Sequence, residues 1–140
     1  MAKYVYPAIF TREDEGGYSI HFPDIEGCYT QGENMQDGLI MANDVLCLML
    51  YDFEEENKTI PEASDPLSIK VDENSFVSLV YCDTIEYKKF YDNKAIKKTL
   101  TLPAWLNSVA EKEGINFSQV LQSALKERLQ VSEPPAEYEV

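Results

Sequence analysis

The chain has 140 residues, enough for one medium domain or two small ones, and its 44% apolar content is that of an ordinary globular protein. Its formal net charge of −13 is not ordinary and is unevenly spread: residues 1–92 hold nineteen acids against six bases, while residues 93–130 hold six bases against three acids. No apolar run reaches membrane-spanning length and none precedes Lys3, so neither a spanning helix nor a leader is expected, and the charge pattern predicts an acidic body beside a mildly basic module.

Tyr4 to Phe10 is a β-type run, and Pro7 marks it as an edge or bulged strand. Glu13 to Gly17 supplies a hairpin turn in which Gly16-Gly17 takes positive φ without steric cost. Tyr18, Ile20 and Phe22 alternate with Ser19 and His21, so the second strand shows one face to a core. Pro23-Asp24 breaks it, Gly27 permits a bend, and a third strand starts at Cys28 to Gln31. The expected result is a three-stranded antiparallel meander. Asn34 and Asp37 cap a helix reaching Phe53, with Leu39, Ala42, Leu46, Met49 and Phe53 on one face. Gly38 is a weak point near its start. Glu54, Glu55 and Glu56 oppose the dipole at its end and read as a solvated acidic terminus.

Pro61 to Pro66 is a loop. Ile69 and Val71 read as strand material, as does Phe76 to Tyr81, whose near-continuous apolar run predicts a central strand. The Tyr-, Lys- and Asp-rich stretch Thr84 to Asn93 reads as the joint between domains. The boundaries are then 1–88 for the first domain, 89–94 for the linker, 95–130 for the second domain and 131–140 for a disordered tail. Cys28, Cys47 and Cys82 are odd in number and widely spaced, which reads as reduced thiols in a cytoplasmic protein. With His21 as the one histidine, neither a metal site nor a cofactor is expected.

Ala95 to Leu102 alternates strictly, with Lys97, Thr99 and Thr101 on one side and Ile96, Leu100 and Leu102 on the other, where Lys98 is the one exception. Pro103 opens a helix carrying Leu106, Val109 and Ala110, and Gly114 closes it. Asn116 and Gln119 cap a second helix with Val120, Leu121, Ala124, Leu125 and Leu129 on its stripe. A lone strand and two short helices cannot bury that apolar side within one copy. Pairing with a second copy solves the problem, and the pattern resembles a ribbon-helix-helix domain, a DNA-binding dimer whose two-stranded ribbon enters the major groove. In that arrangement Lys97, Thr99 and Thr101 face the bases, and the N-terminus of the second helix, at Asn116 and Ser118, faces a phosphate.

The segment Tyr18-Ser-Ile-His-Phe-Pro-Asp-Ile-Glu-Gly-Cys-Tyr-Thr-Gln-Gly32, reached through Tyr6-Pro-Ala-Ile and Gly16-Gly17, resembles the HicB antitoxin family over about residues 4–82. Asp37-Gly38 departs from the Glu-Ala that the family often has there. The resemblance implies an α+β protein whose N-terminal antiparallel sheet plus helix is a partial ribonuclease H-like fold, with a C-terminal ribbon-helix-helix. It implies an antitoxin that neutralises a HicA-type toxin, a small basic mRNA-cleaving ribonuclease, and represses its own operon by binding operator DNA.

No enzyme activity is expected. Asp24, Glu26, Asp44 and Asp83 are candidates for two-metal nuclease chemistry, but a surface so rich in acids produces such sets by chance. The expected partners are toxin, operator DNA and further copies of the chain, with no membrane. Toxin-contacting residues are not legible. The alternative is a dimeric ribbon-helix-helix repressor whose acidic domain senses a small ligand or oligomerises. A short, basic, His-containing reading frame beside the gene separates the two.

Overall fold

Alternating apolar residues become strands in the first part of the chain. In the computed structural model, which describes residues 3–132, β1 (Lys3–Arg12), β2 (Tyr18–His21) and β3 (Tyr29–Gly32) form the expected antiparallel meander. A fourth strand, β4 (Ser75–Asp83), pairs with β1 along nearly its whole length, so the sheet order is β3-β2-β1-β4. Helix α1 (Met35–Glu55) and helix α2 (Thr84–Tyr91) complete a unit of residues 3–92. Residues 93–132 form a separate unit with α3 (Ala104–Lys112) and α4 (Phe117–Leu129). The architecture is α+β.

The core of the first unit lies between one sheet face and α1. Tyr6, Ala8, Phe10, Ile20, Phe22, Val80 and Cys82 from the sheet meet Ala42, Leu46, Cys47 and Leu50 from the helix, all buried. Phe10 stacks on Phe76 with ring centres 5.1 Å apart and meets Tyr18 edge-on at 6.1 Å. Of the helix face read from sequence, Ala42 and Leu46 are buried, Met49 and Phe53 pack at the margin, and Leu39 is nearly half exposed. The buried stripe runs instead through Gly38 and Cys47.

Gly38 is therefore a contact point, not a flaw. A Cβ there would lie 3.1 Å from Phe10 Cε2 and 3.2 Å from Ile20 Cδ1. Opposite it, a Cβ on Gly32 would lie 2.4 Å from Gly38 Cα. Helix and strand touch backbone to backbone, an approach that only paired glycines allow. Asn34 caps α1 as expected, its Oδ1 accepting from Asp37 N at 2.8 Å, while Asp37 Oδ2 accepts from Glu33 N at 2.9 Å.

Several expectations need correction. Pro7 sits in a strand with neighbours on both sides, not at the sheet edge. Arg12 N donates to Asn74 O at 2.9 Å and Glu13 N to Gly17 O at 3.0 Å, so even-numbered β1 amides face β4 and odd ones face β2. The N–H that Pro7 lacks would point past the end of β2, where no acceptor is needed. Phe76 to Tyr81 belongs to the outermost strand, not a central one. Its run looks continuous because Leu79 and Tyr81 are apolar on the open face, where both are about half exposed.

Ile69 and Val71 lie in irregular chain after a short 3-10 turn at Pro66–Ser68. The stretch Thr84 to Asn93 is not a linker: eight of its residues are α2, with Tyr87 buried against Tyr51 at 5.6 Å. Its cap is Asp83, whose carboxylate accepts from Ile85 N at 3.0 Å and Glu86 N at 3.3 Å. Residues 92–103 carry no helix or strand, so Ala95 to Leu102, read as a strand, has none in the single chain. A strand exists through its ladder, and this segment pairs with no other strand in the single chain.

Gly114 closes α3 as expected, with φ +70° and Ile115 N donating to Ala110 O at 3.1 Å. Of the tail expected at 131–140, Val131 closes α4 through a hydrogen bond to Lys126 O at 3.0 Å, and residues 133–140 lie outside the described residues.

Candidate functional site

The acids of the first unit divide into those with structural work and those turned to solvent. Asp24, in the Phe22-Pro23-Asp24 turn, accepts from both Ser64 N, at 2.9 Å, and Ser64 Oγ. With Tyr6 Oη donating to Pro61 O, it fastens the long loop after α1 to the sheet. Glu54 is not a solvated terminus: its Oε2 accepts from Tyr4 Oη at 2.7 Å and Thr84 Oγ1 at 3.0 Å, joining β1, α1 and α2. Burial alone would raise the Glu54 carboxyl. Hydrogen bonds, those from Tyr4 and Thr84 among them, outweigh it and hold the group below the ordinary carboxylate range. The same contact, with burial first, pushes the Tyr4 phenol up.

Asp83 caps α2, so two of the four carboxylates considered for nuclease chemistry serve the fold. Among the described residues, no three of His, Cys, Asp and Glu gather as metal ligands. His21 is exposed on the open sheet face, opposite Tyr29. Cys28, Cys47 and Cys82 are buried thiols, and burial pushes the Cys28 thiol up to about 12.

Five other acids converge at one end of the sheet. A broad depression at the β1–β2 hairpin is lined by Glu13, Asp14, Glu15, Glu33 and Asp37, around Tyr18, with no basic side chain in its wall. The hairpin turn projects these groups through Gly16 and Gly17, at φ +97° and +82°. Gly32, which brings the end of β3 against the start of α1, places Glu33 and Asp37 beside them. Five carboxylates in one concave surface make a cation-seeking face.

In the second unit Lys97, Thr99 and Thr101 are exposed on the irregular segment, and Asn116 and Ser118 are exposed at the start of α4. Asn116 Oδ1 accepts from Gln119 N at 3.1 Å, which is the expected cap. Among the described residues, no hydrogen bond or ion pair joins the Lys97, Thr99, Thr101 group to Asn116 or Ser118. What stands out is the apolar surface: no residue of α3 or α4 is buried, and Leu106, Val109, Val120, Leu125 and Leu129 are all 40% or more exposed.

Sequence reasoning missed the hairpin depression and the Glu54 node. The first had a signal in Glu13-Asp14-Glu15 and Glu33, close in space once the meander is drawn. The second had none, because it depends on a tertiary meeting of three elements. Helix α2 had one, the capping pattern Asp83-x-x-Glu86.

A four-stranded antiparallel sheet with one helix across its face, an acidic concave rim and a separate helical pair defines a small α+β protein built around binding surfaces, and the comparisons agree. The family described as HicB_like antitoxin of bacterial toxin-antitoxin system matches residues 5–79, and the chain belongs to that family. Antitoxin HicB 1 of Photorhabdus laumondii is 39% identical over 56 residues, 40% of this chain and 36% of its own length. Antitoxin HicB of Escherichia coli K12 is 42% identical over 57 residues, 40% of this chain and 41% of its own length. The chain thus spans well under half of these two relatives. A solved toxin–antitoxin complex from Streptococcus pneumoniae contains a chain 32% identical to this one, with a TM-score of 0.59, over 90% of this chain and 99% of that one. The antitoxin HicB of Burkholderia pseudomallei, at 16% identity and a TM-score of 0.50, shares the fold. Among the described residues no helix is long and apolar enough to cross a membrane.

Proposed function

We propose that the chain is the antitoxin of a two-protein module: residues 3–92 bind and occlude a basic HicA-type ribonuclease, and residues 93–132 dimerise as a ribbon-helix-helix that represses the operon. The observation that carries this reading is the division of the chain itself. The family match ends inside the acidic unit, at residue 79, and a basic module with no core of its own follows. An exposed stripe on both helices and an unpaired alternating segment before them are what half of an intertwined dimer leaves open. In the paired state Ile96, Leu100 and Leu102 turn inward, and Lys97, Thr99 and Thr101 form the reading face, with Asn116 and Ser118 at a phosphate.

The first unit works by occlusion, not catalysis. It is a partial ribonuclease H-like fold in which Asp24 and Asp83 are committed to Ser64 and to the α2 cap. The hairpin depression steers a cationic toxin, so the encounter rate falls as salt rises. Affinity then comes from apolar contacts and a few desolvated charge pairs.

The test is to separate the halves. A chain of residues 1–92 neutralises the toxin in cells and fails to repress the promoter, while residues 93–140 do the reverse. Failure of folded 1–92 to rescue growth would show that neutralisation needs the second unit. Changing Lys97, Thr99 and Thr101 together to Ala abolishes operator binding with the dimer intact, at about 1–3 kcal/mol for each base-reading side chain removed. Wild-type affinity in that variant would remove the ribbon as the reading surface. Purified chain leaves RNA intact with Mg²⁺ present; cleavage lost in Asp24→Asn or Asp83→Asn would overturn the assignment.

A further inference from the structure

Two of the three cysteines, far apart in the chain, meet in the core of the first unit. Cys47 lies on the buried side of α1 and Cys82 near the end of β4, and both are buried. Three contacts set them side by side. Asn43, one turn before Cys47, donates its side-chain amide to Tyr81 O, which holds this part of α1 against the end of β4. Cys47 Sγ donates to Asn43 Oδ1 at 3.9 Å. The Cys82 thiol hydrogen-bonds to Cys47, and that contact, followed by burial, pushes it up. With the Cys47 proton turned to Asn43, the Cys47 sulfur is left to accept from Cys82. Cys28 differs, since burial alone raises its thiol and no second cysteine contributes.

We propose that Cys47 and Cys82 are a dithiol that peroxide converts to a disulfide within one chain, fastening α1 to β4. Being buried, the pair takes no part in the surfaces proposed for toxin and DNA. Two thiols and one hydrogen peroxide give one disulfide and two waters. Peroxide first oxidises one sulfur to a sulfenic acid, its O–O bond breaking and one water leaving. The second sulfur then attacks the sulfenic sulfur and the S–S bond forms. The departing hydroxyl takes that thiol's proton and becomes the second water. Two electrons pass from the sulfurs to the peroxide oxygens.

Burial governs the rate. A closed core keeps both thiols protonated and screened, so the folded pair is inert to brief contact with an oxidant. Cys82 is the second-last residue of β4, and strand ends open locally well before the fold is lost. Such an opening brings the first sulfur to peroxide, and reclosing returns it to the second. The bond then closes a loop that contains the whole connection between α1 and β4, residues 56–74, where a short 3-10 turn is the one regular element. A cross-link over so long a loop restricts the unfolded chain, and the acidic unit becomes harder to unfold under oxidising conditions.

The test uses the full-length chain and hydrogen peroxide, with the exposed Met35 as an internal gauge of oxidation. Protein is held in peroxide until Met35 is converted to the sulfoxide, then unfolded, alkylated and digested without reductant. Mass spectrometry shows the Cys47 peptide joined to the Cys82 peptide, two hydrogens lighter than the separate pair, with Cys28 alkylated. A denaturing gel without reductant shows a single chain. The first-unit melt of the oxidised protein lies roughly 10 °C higher, and dithiothreitol abolishes the rise. Cys28→Ala keeps the bond and the rise, and Cys82→Ala loses both. Should Cys82→Ala not fold, the peptide map of the wild type decides alone. Recovery of Cys47 and Cys82 as alkylated thiols or as sulfinic acids once Met35 is oxidised, a bridge to Cys28, or a bridge between two chains would overturn the proposal.

Discussion

The two units of this chain carry the same kind of sequence signal and do opposite things with it. Helix α1 has apolar residues every three or four positions and buries Ala42, Leu46, Cys47 and Leu50 under a sheet. Helices α3 and α4 have equally regular stripes and bury nothing. Apolar periodicity states that a face needs a partner. It does not say that the partner is in the same molecule. The charge balance changes sign over the same boundary, so the surfaces proposed for toxin and for DNA fall in different units.

The largest effect that would break the comparison lies in the first unit. Phe10→Ala removes a fully buried ring stacked on Phe76 and edge-on to Tyr18 and costs about 3–5 kcal/mol. Denaturant melts should show that loss in the N-terminal transition with the C-terminal transition unmoved. Coupled transitions would mean the units are one cooperative body.

Leu106→Ala sharpens the contrast from the other side. In a single chain Leu106 is 40% exposed, so truncation would cost well under the value for a core leucine. In a dimer that buries it, the loss is about 2–5 kcal/mol and appears in a melt that depends on protein concentration. A shift near zero at every concentration would remove the dimer core.

Gly38→Ala sets two terms against each other. Alanine gains about 1 kcal/mol of helix propensity. A Cβ 3.1 Å from Phe10 and 3.2 Å from Ile20 forces α1 off the sheet, at about 1–3 kcal/mol. The expected sum is a destabilisation of about 1 kcal/mol, read from the urea midpoint of the first unit. An unchanged midpoint would show that the helix can retreat without loss.

The smallest effect is electrostatic. The Glu54 carboxyl is held below its ordinary value in the folded chain, so its contribution is present above the unfolded value of about 4.3 and is lost as pH falls through the folded one. Glu54→Gln takes up no proton, and the acid limb of its melting temperature against pH should be shallower than that of the wild type. Parallel limbs would show that the node with Tyr4 and Thr84 adds nothing to acid stability.

Much of this architecture was legible because it is decided locally. The hairpin glycines, the Asn34–Asp37 and Asn116–Gln119 caps and the Gly114 terminus each rest on a few neighbouring residues, and each stands where the sequence put it. What was misread depends on distant neighbours. The place of β4 at the sheet edge follows from the order of pairing, not from its composition. Pro7 is tolerated because β2 stops short of it. Gly38 reads as a helix defect until Gly32 is seen against it. The site followed the same division: Lys97, Thr99 and Thr101 were found from alternation, whereas the hairpin depression required the meander, and the Glu54 node required three elements at once.

One feature of the second unit bears on the life of the protein in the cell. Residues 93–102 lie in no helix or strand in the single chain. Irregular backbone of that kind is open to proteases, and on the proposed pairing it is sequestered only once a second copy arrives. Turnover of the chain would then depend on its own abundance, with scarce copies clipped before the proposed DNA-binding module and plentiful ones spared. On the proposed function, the first product of clipping would be a folded acidic unit without the module proposed to bind the promoter, so a falling supply would silence repression before it released the toxin.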